Sequence, residues 1–402
     1  MDNEKKNGRL TVALCFLMIF AGLGFVSAPR TLFVIPVTEA LSIDRSVYSV
    51  VDSLRYVSTA VVNLFFGTLI AKFGARWLIA IGFLALALSM LFFGLANGLV
   101  LLYLAGILMG IGFSFTSTAM VGYVIRRAYP ERSGTITGAV LAANGIGGAA
   151  CTPIVSAMIH SGIGYRGSSY AVCALVALVG LVTVAFLRGP AVCRPAKQEA
   201  SKAEESEPAP TEGTPPLRFI LLVAAVFFSG FCLQGIYGVS AAHMTDVGLD
   251  EGLIVSVLST QLLLLAASKF LIGALYDRFG LRVTATVTML GGMGVSVLLA
   301  LLVSGTAGAV MAFGYALLVS VALPLETVML PIYAREFFGK AQFASRLGIL
   351  VSFNTVGYAL GSPFLNLVFD LSGSYTAGFI TTAALMSLSL IFMLAICPRR
   401  TK

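Results

Sequence analysis

QLLLLAASKFLIGALYDRFGLR, residues Gln261 to Arg282, reads as an apolar helix with one lysine buried in it and a charged tight turn at its end. The same plan occurs 206 residues earlier as NLFFGTLIAKFGAR, Asn63 to Arg76, where Gly67, Phe73, Gly74 and Arg76 match Gly273, Phe279, Gly280 and Arg282. The chain is therefore a duplicated object. The copies differ in two informative places: Lys269 stands opposite Asn63, and Asp277 stands opposite Ala71. A lone cation in hydrocarbon is costly, so an ionisable residue inside a membrane segment is first of all a functional candidate.

Composition supports a bilayer setting independently. Hydrophobic residues make up 58% of the 402, charged residues 11%, and mean hydropathy is +0.95, which excludes an ordinary water-soluble globule. A hydrocarbon core of roughly 30 Å takes about 20 apolar residues per helical span. Twelve such stretches begin near residues 10, 47, 77, 98, 135, 168, 218, 252, 283, 306, 346 and 374. The expected fold is all-α, with twelve transmembrane helices in two pseudo-symmetric six-helix lobes.

The first apolar run is longer than a signal-peptide core and lacks an A-x-A-like cleavage site, so it is expected to remain as the first span. Of 26 lysines and arginines, 21 fall in the termini and alternate loops on one side; the loops between hold only Arg45 and Arg166. By the positive-inside rule both termini and the central loop are expected in the cytoplasm, as in a multi-pass protein of the cell inner membrane. The net charge of +8 is then a topology signal and implies no nucleic acid. The six cysteines have no CxxC spacing and mostly lie in apolar spans, so neither a disulfide framework nor a metal or other cofactor is expected.

Along the chain, Arg30 lies late in the first span, with snorkelling to the interface as its structural alternative. Asp52 and Arg55 sit three apart in the second span and share a helical face. Ser114, Thr116, Ser117 and Thr118 suit helix packing. The fifth span, GAVLAANGIGGAACTP, has its own twin in LGILVSFNTVGYALGSP. Gly348, Asn354, Gly357 and Pro363 each follow Gly138, Asn144, Gly147 and Pro153 by 210 residues. After Arg188 the sequence turns rich in Pro, Glu, Lys and Ala, the texture of a disordered linker. The domain expectation is a first lobe over 1–188, a cytoplasmic linker over 189–216 and a second lobe over 217–402. In the second lobe Gln234, Tyr237 and His243 interrupt an apolar helix, His243 fitting a satisfied interfacial role. Glu326, between Pro324 and Pro331, is an acid that must be paired or protonated at such depth.

These features resemble the major facilitator superfamily over the whole chain. GALYDRFGLR is similar to the family's signature gate turn G-x-x-x-D-R-x-G-x-R, complete at Gly273, Asp277, Arg278, Gly280 and Arg282, whereas the first copy departs from it at Ala71. Within the superfamily the sequence looks most like monocarboxylate porters and oxalate/formate antiporters. Pro29-Arg30 resembles the porters' Pro-Lys pair that carries a substrate-binding cation, and Lys269 occupies the place of their eighth-helix arginine. The resemblance departs in three places. Lysine lacks arginine's bidentate fork. The antiporters' eleventh-helix lysine is replaced by Asn354, which favours a singly charged substrate, and the porters' eighth-helix aspartate is replaced by Leu265.

The expected activity is secondary transport of small organic monocarboxylates by alternating access at a site between the lobes, coupled to protons or to a counter-anion. Arg30 and Lys269 would attract the carboxylate, with Asn144, Asn354, Tyr237 and Gln234 as polar lining. Asp52 and Glu326 are the coupling candidates. The chain is expected to act as a monomer in the bilayer. Export of a different small molecule, a drug or metabolite, is the same-fold alternative. An enzyme is not expected, because no phosphate-binding loop, H-E-x-x-H or G-x-S-x-G occurs.

Overall fold

The computed structural model describes residues 2–129, 133–187, 216–338 and 343–397. Apart from Pro216, the expected linker lies outside the described residues. Among those described, every regular element is helical. In lipid each backbone N–H and C=O needs an internal partner, which a helix supplies within its own segment.

In chain order the helices are α1 (Asp2–Ala21), α2 (Val34–Leu41), α3 (Arg45–Leu64), α4 (Phe66–Leu95), α5 (Leu99–Thr116), α6 (Thr118–Ala128), α7 (Ser133–His160) and α8 (Gly164–Phe186). The second set is α9 (Pro216–Asp246), α10 (Glu251–Phe279), α11 (Leu281–Ala300), α12 (Gly305–Ala322), α13 (Leu330–Phe338), α14 (Phe343–Ser372) and α15 (Thr376–Ile396). Eleven helical stretches are long and apolar enough to cross a membrane, and the bent pair α3 with Phe66–Phe73 brings the number to 12. The 62° bend in that pair, at Phe65, is a break that the sequence reading did not anticipate.

Two further interruptions sit beside candidate residues. The first span is not one continuous helix: a π-helical segment, Gly22–Ser27, and a 3-10 segment, Ala28–Phe33, separate α1 from α2. Pro29 is the second residue of the tighter segment and has no N–H to donate to the preceding turn. Between α12 and α13 a second π-helical segment, Leu325–Met329, follows Pro324 and carries Glu326 in its first turn. Single-turn π segments recur at functional sites because they re-aim side chains.

The chain divides into two compact units, one of residues 1–41 and 54–206, the other of 42–53 and 207–402. Ser42–Ser53, which the sequence reading assigned to the first lobe, groups with the second unit. Both units follow one packing plan. In the first, α7 packs on α1 and the π segment, and α4 packs on α5 and α8. In the second, α14 packs on α9, and α11 packs on α12 and α15.

Glycine makes the closest of these approaches possible. A Cβ at Gly24 would stand 2.9 Å from the Gly147 carbonyl carbon, and one at Gly235 2.9 Å from that of Gly361. The duplicated turns also share a backbone conformation. Gly74 has φ 75° and ψ 157°, and Gly280 has φ 81° and ψ 180°, a region that side chains with a Cβ disfavour. Large apolar side chains such as Phe270, Leu371 and Val310 stand exposed, as surfaces facing acyl chains should.

Candidate functional site

In the second unit four helical segments bring their polar groups together. Gln234, on α9, directs its Nε2 to Glu326 Oε2 at 2.9 Å, and the carboxyl is buried, at 6% exposure. The Tyr358 hydroxyl on α14 interacts with the same carboxyl. Lys269, half-buried on α10, is the cation within electrostatic range of Glu326. Among the described residues the two make no contact ion pair. A carboxylate in low dielectric gains strongly from a nearby ammonium and from hydrogen bonds, and here both are provided without consuming the lysine's three N–H donors.

The remaining second-unit candidates have different surroundings. Asn354 is 2% exposed and its Nδ2 donates to the Val226 carbonyl at 3.0 Å. That amide nitrogen ties α14 to α9, where the sequence reading had it lining a substrate path. Tyr237 is half-buried one turn from Gln234, and its carbonyl accepts from Ser240 Oγ at 3.1 Å. His243 is buried, with Nε2 2.9 Å from the Leu299 carbonyl and its ring edge-on to Phe379 and Tyr375, a packed histidine as expected. Asp52, half-buried, groups with this unit.

At the signature turn, Gly280 makes the reversal, while Asp277 and Arg278 are exposed and Gly273 and Arg282 half-exposed. Tyr276 donates its hydroxyl to Glu336 beside this turn.

In the first unit Arg30 lies in the last turn of the 3-10 segment, half-buried with its Nε enclosed. Asn144 is half-buried on α7, one turn before the Gly147 that meets α1. Arg55 is buried with its guanidinium 3.9 Å from the Tyr56 ring centroid. Ser114 and Thr116 bond their own helix carbonyls, Gly110 O at 3.0 Å and Gly112 O at 2.8 Å, which is the packing role.

A second polar cluster escaped the sequence reading, which had treated Arg45 only as a loop charge. Its guanidinium forks onto Asp246, with Nη2 2.8 Å from Oδ1, and Nη1 reaches the Tyr375 hydroxyl at 3.2 Å. Asp370 accepts from the Ser46 N–H at 2.8 Å, capping the start of α3. The acids lie 201 and 324 positions from their partners, so no local pattern could have paired them. Tyr358 was also missed, since a tyrosine in an apolar helix is ordinarily packing.

The model of the Major Facilitator Superfamily matches residues 12–325 and 222–402. Monocarboxylate transporter 13 of Bos taurus is 27% identical over 327 residues, covering 78% of this chain and 72% of that protein. The Rattus norvegicus protein of the same name is 24% identical over 323 residues, with the same shares. An uncharacterized MFS-type transporter, YcxA, of Bacillus subtilis is 29% identical over 152 residues, 37% of each chain. Among solved structures, a mutant of the nucleoside transporter NupG superposes with a TM-score of 0.81 at 15% identity, over 97% of this chain and all of that one. A POT family transporter in complex with 5-aminolevulinic acid superposes with a TM-score of 0.72 at 14% identity, over 97% and 96%. At such identities the likeness speaks for the fold alone. The duplicated helical units and the family match over nearly the whole chain lead to one conclusion: this multi-pass membrane protein belongs to the Major Facilitator Superfamily of transporters.

Proposed function

We propose that the chain moves small organic monocarboxylates by alternating access, coupled to protons or to a counter-anion. The observation that carries this reading is the half-buried Lys269, held within electrostatic range of Glu326 but not in contact with it. Such a lysine keeps its ammonium donors for an incoming carboxylate, and a single positive charge suits a singly charged ligand. Gln234 fixes the Glu326 carboxyl so that substrate and acid compete for the same cation without collapsing onto each other. Arg30, on the irregular first span, is the matching cation of the first unit. The relatives named monocarboxylate transporter 13 support the substrate class. The distribution of lysine and arginine supports cytoplasmic termini and an inner-membrane location, with the monomer as the working unit.

The test is uptake of labelled lactate, pyruvate and acetate into liposomes holding the purified protein. Saturable uptake that a second monocarboxylate competes away is expected. Transport of a non-acidic drug or metabolite, with no carboxylate uptake, would overturn the reading in favour of general efflux.

A further inference from the structure

Gln261 on α10 is fully buried, and among the described residues neither its Nε2 nor its Oε1 has a hydrogen-bond partner. An amide offers two N–H donors and one acceptor oxygen, and burying all of them unpaired is among the costlier arrangements a core can contain. Its backbone position is fixed by α12, because Ser320 Oγ donates to the Gln261 carbonyl at 2.9 Å. Five residues before Ser320, Tyr315 is also fully buried with its hydroxyl unpartnered. Ser240 and Tyr237 of α9 are the polar neighbours of that hydroxyl. From Tyr237 the same helix leads in one turn to Gln234 and so to Glu326. α9, α10 and α12 thus place several buried polar groups inside one unit, among them the Glu326 carboxyl's partner Gln234 and an amide that no described residue satisfies.

We propose that the second unit holds internal water on the Gln261 amide and the Tyr315 hydroxyl, and that this water is the route by which protons reach Glu326. A buried water needs two to four polar partners and settles where protein groups are otherwise unsatisfied; the Gln261 amide offers two donors and an acceptor, and the Tyr315 hydroxyl beside Ser240 offers a second such place. On loading, the internal water relays one proton, each water accepting a proton as it passes one on, until a carboxylate oxygen of Glu326 forms an O–H bond; on release that O–H bond breaks and the proton leaves by the same kind of relay. The proton route rests on the proton-coupled form of the proposed function, whereas the water site does not.

The two parts are tested separately on purified full-length protein. For the water site, brief X-ray radiolysis generates hydroxyl radical from bound water, so Tyr315 should be oxidised despite its burial, and Gln261→Leu should remove that labelling. Gln261→Leu should also fail to raise the unfolding temperature. An unlabelled Tyr315 together with a raised unfolding temperature would mean a dry core relieved of an orphan amide, and would overturn the site. Tyr315→Phe keeps the ring's packing and, if Gln261→Leu does not fold, serves in its place through the unfolding temperature.

For the route, liposomes with an internal pH dye should show substrate-driven proton flux reduced on the order of tenfold or more in Gln261→Leu or Tyr315→Phe. Exchange of carboxylate for carboxylate at constant pH should continue. Unchanged proton flux in both variants, or no proton flux in the unmodified protein, overturns the route while the labelling still decides the water site. Absence of any carboxylate movement is instead a failure of the proposed function.

Discussion

Gln234 and Glu326, 92 positions apart, meet through a 2.9 Å hydrogen bond from amide to carboxyl inside one unit, and this bond fixes where the buried acid stands relative to Lys269. The first expectation concerns the bond itself. Gln234→Leu leaves a buried carboxyl without its amide donor, so unfolding stability should fall by about 1–3 kcal/mol. Gln234→Glu should be worse than Gln234→Leu, because it adds a second acid to the same enclosed space. Thermal unfolding in detergent measures both, and equal stability of the unmodified and Gln234→Leu proteins would deny the bond an energetic role.

Lys269→Ala should remain folded and membrane-inserted but lose carboxylate uptake, while Lys269→Arg retains part of it. If the lysine serves only as a structural partner of Glu326, Lys269→Ala should instead lower folded yield, and adding Glu326→Gln should restore it by removing the stranded charge. Uptake at the unmodified rate and affinity in Lys269→Ala would exclude an anion site at this residue.

If the proposed transport is proton-coupled, Asp52 and Glu326 are the expected carriers. In liposomes loaded with a pH dye, Glu326→Gln is expected to abolish substrate-driven proton movement yet permit exchange of one carboxylate for another, since exchange needs no net proton transfer. Asp52→Asn is the companion variant. Proton flux that survives unchanged in both would rule these carriers out, and its absence from the unmodified protein would favour anion exchange.

The duplicated turns give a prediction about stability alone. Gly74 and Gly280 have φ values of 75° and 81° with extended ψ, a region open essentially to glycine alone, so Gly74→Ala and Gly280→Ala should each cost roughly 1–3 kcal/mol. Gly67→Ala is the control, because a Cβ there meets nothing within 4 Å and alanine favours helix. Unfolding midpoints for the three variants check this, and an unaffected Gly280→Ala would show that the turn relaxes without strain.

Much of this protein was legible from the chain. Hydropathy located the spans because lipid imposes a length and a composition on every helix, and the repeats at 206 and 210 residues exposed two lobes before any contact was known. Of the glycines of the repeats, Gly74 and Gly280 proved to be where turns reverse and Gly147 and Gly357 where helices touch. Lys269 and Glu326 stood out because a charge in an apolar run is conspicuous whatever surrounds it. What sequence could not decide was partnership. Asn354 looks like Asn144 in its repeat, yet its amide is bound to the Val226 carbonyl. Arg45 looks like a loop cation, yet its guanidinium meets Asp246 and Tyr375 and its backbone N–H donates to Asp370. The π segment that aims Glu326 and the burial of Gln261 follow from how α9, α10, α12 and α14 pack. Hydrogen bonds and desolvation depend on distances of a few ångströms between residues tens or hundreds of positions apart, and only the folded chain sets those distances.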